Sequence, residues 1–113
     1  MTEYILKIST SKENYLNITR ILEIVPSNDE YFWEFIIDEN HDLYIKAIDS
    51  FMNIIEPNMQ KLKKIGIKPE DISVWFYKPY VNECNMEFSP NEMRRLAENQ
   101  ITLCISCWET ENE

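Results

Sequence analysis

Apolar positions along the chain follow two periods that alternate. Tyr4, Leu6 and Ile8 recur at every second residue, which predicts a strand over residues 4–9 with one apolar side. The spacing then lengthens to three and four at Tyr15, Ile18, Ile21 and Leu22, predicting a helix that ends before Pro26, with Thr10 and Glu13 spaced as its capping box. Period two returns over residues 31–37. Trp33, Phe35 and Ile37 share one side there and Phe32, Glu34 and Ile36 the other, and bulk on both sides predicts a central strand. From Leu43 the helical spacing of Ile45, Ile48, Phe51 or Met52, and Ile55 predicts the longest helix, preceded by an acidic turn over residues 38–42 that offers N-caps. The pattern resumes at Met59, Leu62 and Ile65. Pro57 is expected to bend or divide this helix and Gly66 to close it.

A third strand is expected over residues 72–80, with Ile72, Val74 and Phe76 on one side and Ser73, Trp75 and Tyr77 on the other. Pro79 places its end at a sheet edge or off the ladder. Ser89, Pro90 and Glu92 then carry the chemistry of an N-cap, a first helical position and a capping-box acid, opening a helix with Met93, Leu96 and Ala97 on its buried side. After Asn99-Gln100 an alternating run begins. Ile101, Leu103, Ile105 and Cys107 point one way and Thr102, Cys104, Ser106 and Trp108 the other, and this last strand is expected to be a keystone of the fold.

The order β-α-β-α-β-α-β in one domain of residues 1–113 predicts an α+β two-layer sandwich: a four-stranded sheet with three helices on one face, a ferredoxin-like variant. Three helices cover one face only. The other would carry Phe32, Ile36, Trp75, Tyr77, Cys104 and Trp108, too aromatic a set to meet water alone. Covering them is worth several kcal/mol at ~25 cal/mol per Å². The expected cover is a partner, a second copy of the chain, or the protein's own long helix or 79–88 loop.

Charge narrows the partner. The formal balance is −9, and residues 29–56 hold Asp29, Glu30, Glu34, Asp38, Glu39, Asp42, Asp49 and Glu56 against the single base Lys46. Phosphate backbones require clustered Lys and Arg, so nucleic acid is disfavoured and a basic protein would be steered in. Gly66 is the only glycine, which excludes glycine-rich phosphate loops. An N-terminus without a basic and then apolar leader, the lack of a membrane-length apolar run and three cysteines together predict a cytoplasmic protein with no membrane association.

Candidate chemistry is sparse. Cys104 and Cys107 form a C-x-x-C string, but on a strand their thiols point to opposite faces, so they are not expected to join Cys84 and His41 around a metal ion. His41, the only histidine, sits among acids and reads as an exposed loop residue. No nucleophile elbow or triad pattern is present, and the expectation is no enzyme, no catalytic residue, no metal and no cofactor.

Residues 85–90, 95–98 and 101–109, together with Ile24-Val25-Pro26-Ser27 and the helix over 49–57, resemble a family of small bacterial domains, domain-of-unknown-function family 4279. The chain differs from that pattern after the proline, where a Lys/Gly/Asp-containing loop is missing, and at Asn99-Gln100, which replace a glycine turn. The resemblance implies a compact α+β domain and carries no catalytic residues. Small acidic bacterial domains of this build are similar to immunity proteins that neutralise toxins, an analogy of build alone. The functional expectation is therefore a protein-interaction domain that binds a basic partner, such as a toxin, or itself. Its partner-binding residues would be Asp38, Glu39, Asp42, Asp49, Phe32, Trp75, Tyr77 and Trp108. The alternatives are a ligand or single-strand nucleic-acid binder stacking bases on the aromatic face, supported by Lys63, Lys64 or Arg94, and a small enzyme with a loop-built site.

Overall fold

The computed structural model describes residues 2–38 and 46–111. Four strands, β1 (Glu3–Ile8), β2 (Trp33–Asp38), β3 (Ile72–Tyr80) and β4 (Thr102–Glu109), form one sheet in the order β2-β1-β3-β4. β1 runs antiparallel to both neighbours and β3 parallel to β4. Helices α1 (Tyr15–Leu22), α2 (Ala47–Ile55), α3 (Met59–Lys64) and α4 (Pro90–Glu98) link the strands, α2 and α3 being one helix interrupted by the 3-10 turn Glu56–Asn58 at Pro57. The expected two-layer α+β arrangement is thus present.

Alternation decides which side of the sheet the helices take. Tyr4, Leu6 and Ile8 of β1 stand beside Ile37, Phe35 and Trp33 of β2 and beside Phe76, Val74 and Ile72 of β3, so one face is apolar across three strands. Onto it pack Ile18 and Leu22 of α1, Ile48, Phe51, Met52 and Ile55 of α2, Leu62 of α3 and Leu96 of α4. Leu6, Ile8, Trp33, Phe51, Ile55, Leu62 and Val74 are completely buried, each contributing about 1.5–3 kcal/mol by leaving water. Trp33 keeps its polar edge satisfied by donating from Nε1 to Thr19 Oγ1 at 3.1 Å.

Several expectations require correction. β2 lies at an edge, not at the centre: its side toward solvent is Ile36 and Phe32, and its bulk on both sides reflects an apolar open face. β4 is the opposite edge and no keystone; Ile105, Cys107 and Trp108 are exposed, and the core is built on β1 and β3. On α4 only Leu96 is buried, while Met93 is 52% exposed and Ala97 faces solvent. Thr10 does not cap α1. Its hydroxyl accepts from Asn14 Nδ2 at 3.3 Å, and the helix opens through the 3-10 turn Lys12–Asn14 instead. The acidic turn expected to cap the longest helix lies, beyond Asp38, outside the described residues, as do Leu43 and Ile45; α2 starts behind Lys46 with no side-chain cap. The capping box of α4 does form, with Glu92 N–H donating to Ser89 Oγ at 3.1 Å and Ser89 N–H donating to Glu92 Oε1 at 2.9 Å.

Helix ends are closed by left-handed residues. Gly66 (φ 90°) ends α3 in a Schellman motif: its N–H donates to Lys63 O, that of Ile67 to Leu62 O, and Leu62 and Ile67 are both fully buried. Gln100 (φ 58°) repeats the device after α4, with Ile101 N–H donating to Leu96 O at 3.0 Å. A side chain in this region costs about 1 kcal/mol that glycine avoids. Replacing Gln100 by Gly is expected to raise unfolding free energy by about 0.5–1 kcal/mol in urea denaturation, the gain being trimmed by the freer unfolded chain.

One arginine ties α4 to α2. Arg95 donates through Nη1 to Asp49 Oδ1 at 2.9 Å, through Nη2 to Glu56 Oε1 at 2.7 Å and Asn53 Oδ1 at 2.9 Å, and through Nε to Glu56 Oε2 at 3.2 Å. Residues 49, 53 and 56 share one face of α2 and its 3-10 extension, so a planar fork reaches all three at once. Arg95→Lys is expected to cost about 1 kcal/mol in denaturant melts and Arg95→Ala more, because a single ammonium cannot span these acceptors. The hydrogen bonds from Arg95 also hold the Glu56 carboxyl below its ordinary 4.5, with Asn99 adding to the effect. A lowered folded-state pKa stabilises the fold above the unfolded value, so the advantage of wild type over Glu56→Gln should shrink as pH falls below 4.5.

Candidate interaction surface

The face turned away from the helices is arranged in rows by strand register. Across β2, β1, β3 and β4 they read Glu34, Lys7, Ser73 and Thr102; then Ile36, Ile5, Trp75 and Cys104; then Asp38, Glu3, Tyr77 and Ser106; and last Pro79 and Trp108. One row is therefore apolar across its middle, and the rows on either side of it carry the carboxylates Glu34, Glu3 and Asp38. Ile5 is 5% exposed although no helix lies over it, because its cross-strand neighbours are Ile36 and Trp75.

The aromatic side chains are held in a stack. Trp75 and Tyr77 lie nearly parallel, with centroids 5.9 Å apart, and Trp75 Nε1 donates to Ser73 Oγ at 2.9 Å. Lys7 Nζ sits 4.2 Å from the Trp75 ring centroid and 4.7 Å from that of Phe32, and reaches Glu34 Oε2 at 3.5 Å. The ammonium is thus clamped between two π faces and neutralised by a carboxylate on the adjacent strand. Phe32 precedes β2, and this contact fixes its ring on the open side. The sequence reading placed Phe32 on this face but missed Lys7, whose only signal was a basic residue flanked by aromatic-rich strands.

Of the residues expected to bind a partner, Phe32, Trp75, Tyr77 and Trp108 fall on this one face; Phe32 is 36% and Trp108 46% exposed, and Trp75 and Tyr77 are half-buried. Asp38 is exposed at its border beside Glu3. Asp49 does not join them. It stands in the helical layer on the opposite side, paired with Arg95, and is not a free acid facing a partner. Glu39 and Asp42 lie outside the described residues, as does His41.

Among the described residues, none lies across this face. Phe88 meets the Phe76 ring at 5.7 Å, and Met86 and Phe88 pack on the helix-side core, so the segment after β3 folds under the sheet and not across Trp75. A cleft of about 300 Å³ between Tyr4, Phe76, Met86 and Phe88 results, where Lys78 already donates to Asn85 O at 3.2 Å and Glu92 caps α4.

The cysteines separate as alternation requires. Cys104 is on the open face beside Trp75 and Cys107 on the other, beside Lys78. Local desolvation pushes the Cys107 thiol up, with the neighbouring Cys84 adding to the shift and Lys78 opposing it. Among the described residues, no group of three or more His, Cys, Asp or Glu is placed to hold a metal ion, and no helix is long and apolar enough to cross a membrane.

No family model, curated protein or solved structure matches the chain. The surface is therefore read from its own chemistry.

Lys7 is the group on which the stack turns. Lys7→Ala is expected to lower stability by about 1–2 kcal/mol, since it removes two cation–π contacts, the Glu34 ion pair and the apolar stem over the sheet. Red-shifted tryptophan emission before unfolding would accompany the loss. Unchanged emission and stability would show that Lys7 does not order the rings.

Proposed function

We propose that this chain is a protein-interaction domain whose open sheet face docks a basic protein, in the manner of an immunity protein neutralising a toxin. The observation that carries the reading is the Phe32–Lys7–Trp75–Tyr77 stack, an ordered aromatic surface over which none of the described residues lies. Rigid aromatic groups lose little entropy on binding and dominate interface energies. Carboxylates at its border, Glu3 and Asp38, and a chain charge of −9 favour a cationic partner and would speed its approach. The looser resemblance to the bacterial domain family and the immunity-protein analogy point the same way.

Single-stranded nucleic acid is a weaker occupant. The one base among the aromatic rings, Lys7, is already engaged with Glu34, while Lys61, Lys63 and Lys64 belong to α3 in the opposite layer. Stacking platforms for bases need an electropositive groove beside them.

The test takes the protein encoded next to this chain as partner. Titration calorimetry should show binding by wild type that weakens at least tenfold in Trp75→Ala, which corresponds to about 1.4 kcal/mol, with circular dichroism unchanged. Association should slow with added salt. Growth protection against that partner should fall in the same variant. Binding untouched by both Trp75→Ala and Trp108→Ala would remove the face from the account. Saturable tryptophan quenching by oligo-uridine would replace it with the nucleic-acid reading.

A further inference from the structure

The two edges of the sheet are treated differently. On the outer side of β2, residues 27 and 28 return alongside the strand: Ser27 and Asn28 N–H groups donate to Glu34 O, Glu34 N–H donates to Asn28 O at 2.9 Å, and Ile36 N–H donates to Ser27 Oγ at 3.0 Å. That edge is closed to another strand. The outer side of β4 has no such cover; among the described residues none of its main-chain groups outside the β3 ladder has a hydrogen-bond partner. Ile105 and Cys107, which point to the helix side, are exposed, so no helix overhangs the rim. β4 is eight residues long and lacks the lysines, prolines and bulges with which exposed edges are commonly protected.

We propose that β4 pairs antiparallel with β4 of a second copy, joining two sheets into one of eight strands. The occupant follows from charge. From Thr102 to Trp108 the strand is uncharged in a chain of −9, so a basic strand would find no carboxylate along it, whereas its own copy meets no like charge. With Ile105 opposite Ile105 of the second copy, Leu103 faces Cys107, Cys104 faces Ser106 and Thr102 faces Trp108. The one carboxylate of the strand, Glu109, falls beyond this ladder, opposite Ile101. A two-fold axis normal to the sheet keeps both aromatic faces on the same side, so edge pairing leaves the surface proposed above free. The proposal is independent of that reading.

A strand-edge contact is smaller than the ~1,200 Å² typical of lasting complexes, so the dimer depends on concentration. Sedimentation equilibrium from micromolar to millimolar protein, with a thiol reductant to exclude disulfide crosslinks, should show the mass rising from 13.6 kDa toward twice that value. Ile105→Lys, which sets two ammonium groups against each other at the axis, should hold it at the monomer value, and Trp75→Ala should leave dimerisation unchanged. Amide exchange in wild type gives a readout that needs no variant: β4 protection should increase with concentration while β2 protection does not. A monomer at millimolar concentration overturns the proposal. So does a dimer abolished by Trp75→Ala but kept by Ile105→Lys, or exchange in β4 that ignores concentration.

Discussion

The structure depends on a mismatch in β1. Among the described residues helices cover only one side of the sheet, where Tyr4, Leu6 and Ile8 enter the core, yet on the other side β1 carries Ile5, between Glu3 and Lys7, with 5% exposure. An uncovered side with a buried isoleucine needs a lid. The lid is made of the sheet's own side chains, Trp75 and Ile36 from the flanking strands, with Lys7 gripped between Trp75 and Phe32. Surface cation–π contacts are individually about 0.5–1 kcal/mol, and here two share a cation with an ion pair on its third side. What orders the rings is thus local chemistry, and what leaves them available is the scarcity of helices.

The helical side is organised by different means. A short chain with one glycine has to end its helices with residues that tolerate a left-handed turn poorly, and Glu23 and Gln100 accept φ near 58° to do so. That strain is offset by buried contacts across each turn, Leu96 with Ile101 being one such pair. Arg95 supplies the register between α2 and α4, which packing alone leaves weak because α4 buries only Leu96. Acids that looked free along the sequence are in part structural cement.

Periodicity made the elements legible and left their places in the sheet unreadable. β3 runs from Ile72 to Tyr80, the Ser89 cap, the break at Pro57 and the turn at Gly66 all follow from local rules that sterics and hydrogen bonding enforce within a few residues. Strand order is set by long-range pairing, and an apolar run reads the same at an edge as at the centre when its second face is a dry surface. That is why β2 looked central and β4 a keystone. Pro79 was informative because β1 ends opposite Tyr77, so the last residues of β3 pair with β4 alone. Trp75, Tyr77 and Trp108 could be assigned to one face from alternation. Lys7 could not, since a lysine on a strand ordinarily points to water and only the fold brings Phe32, Trp75 and Glu34 around it.

The clamp is open to direct observation by nuclear magnetic resonance of the free protein. If Lys7 lies between the two rings, ring currents shift its ε-methylene protons well upfield of those of the other lysines, and these protons show cross-relaxation to both Phe32 and Trp75. Lys7 ε-protons at the position of exposed lysines, with no cross-relaxation to either ring, would contradict an ordered aromatic face and with it the surface on which the functional reading stands.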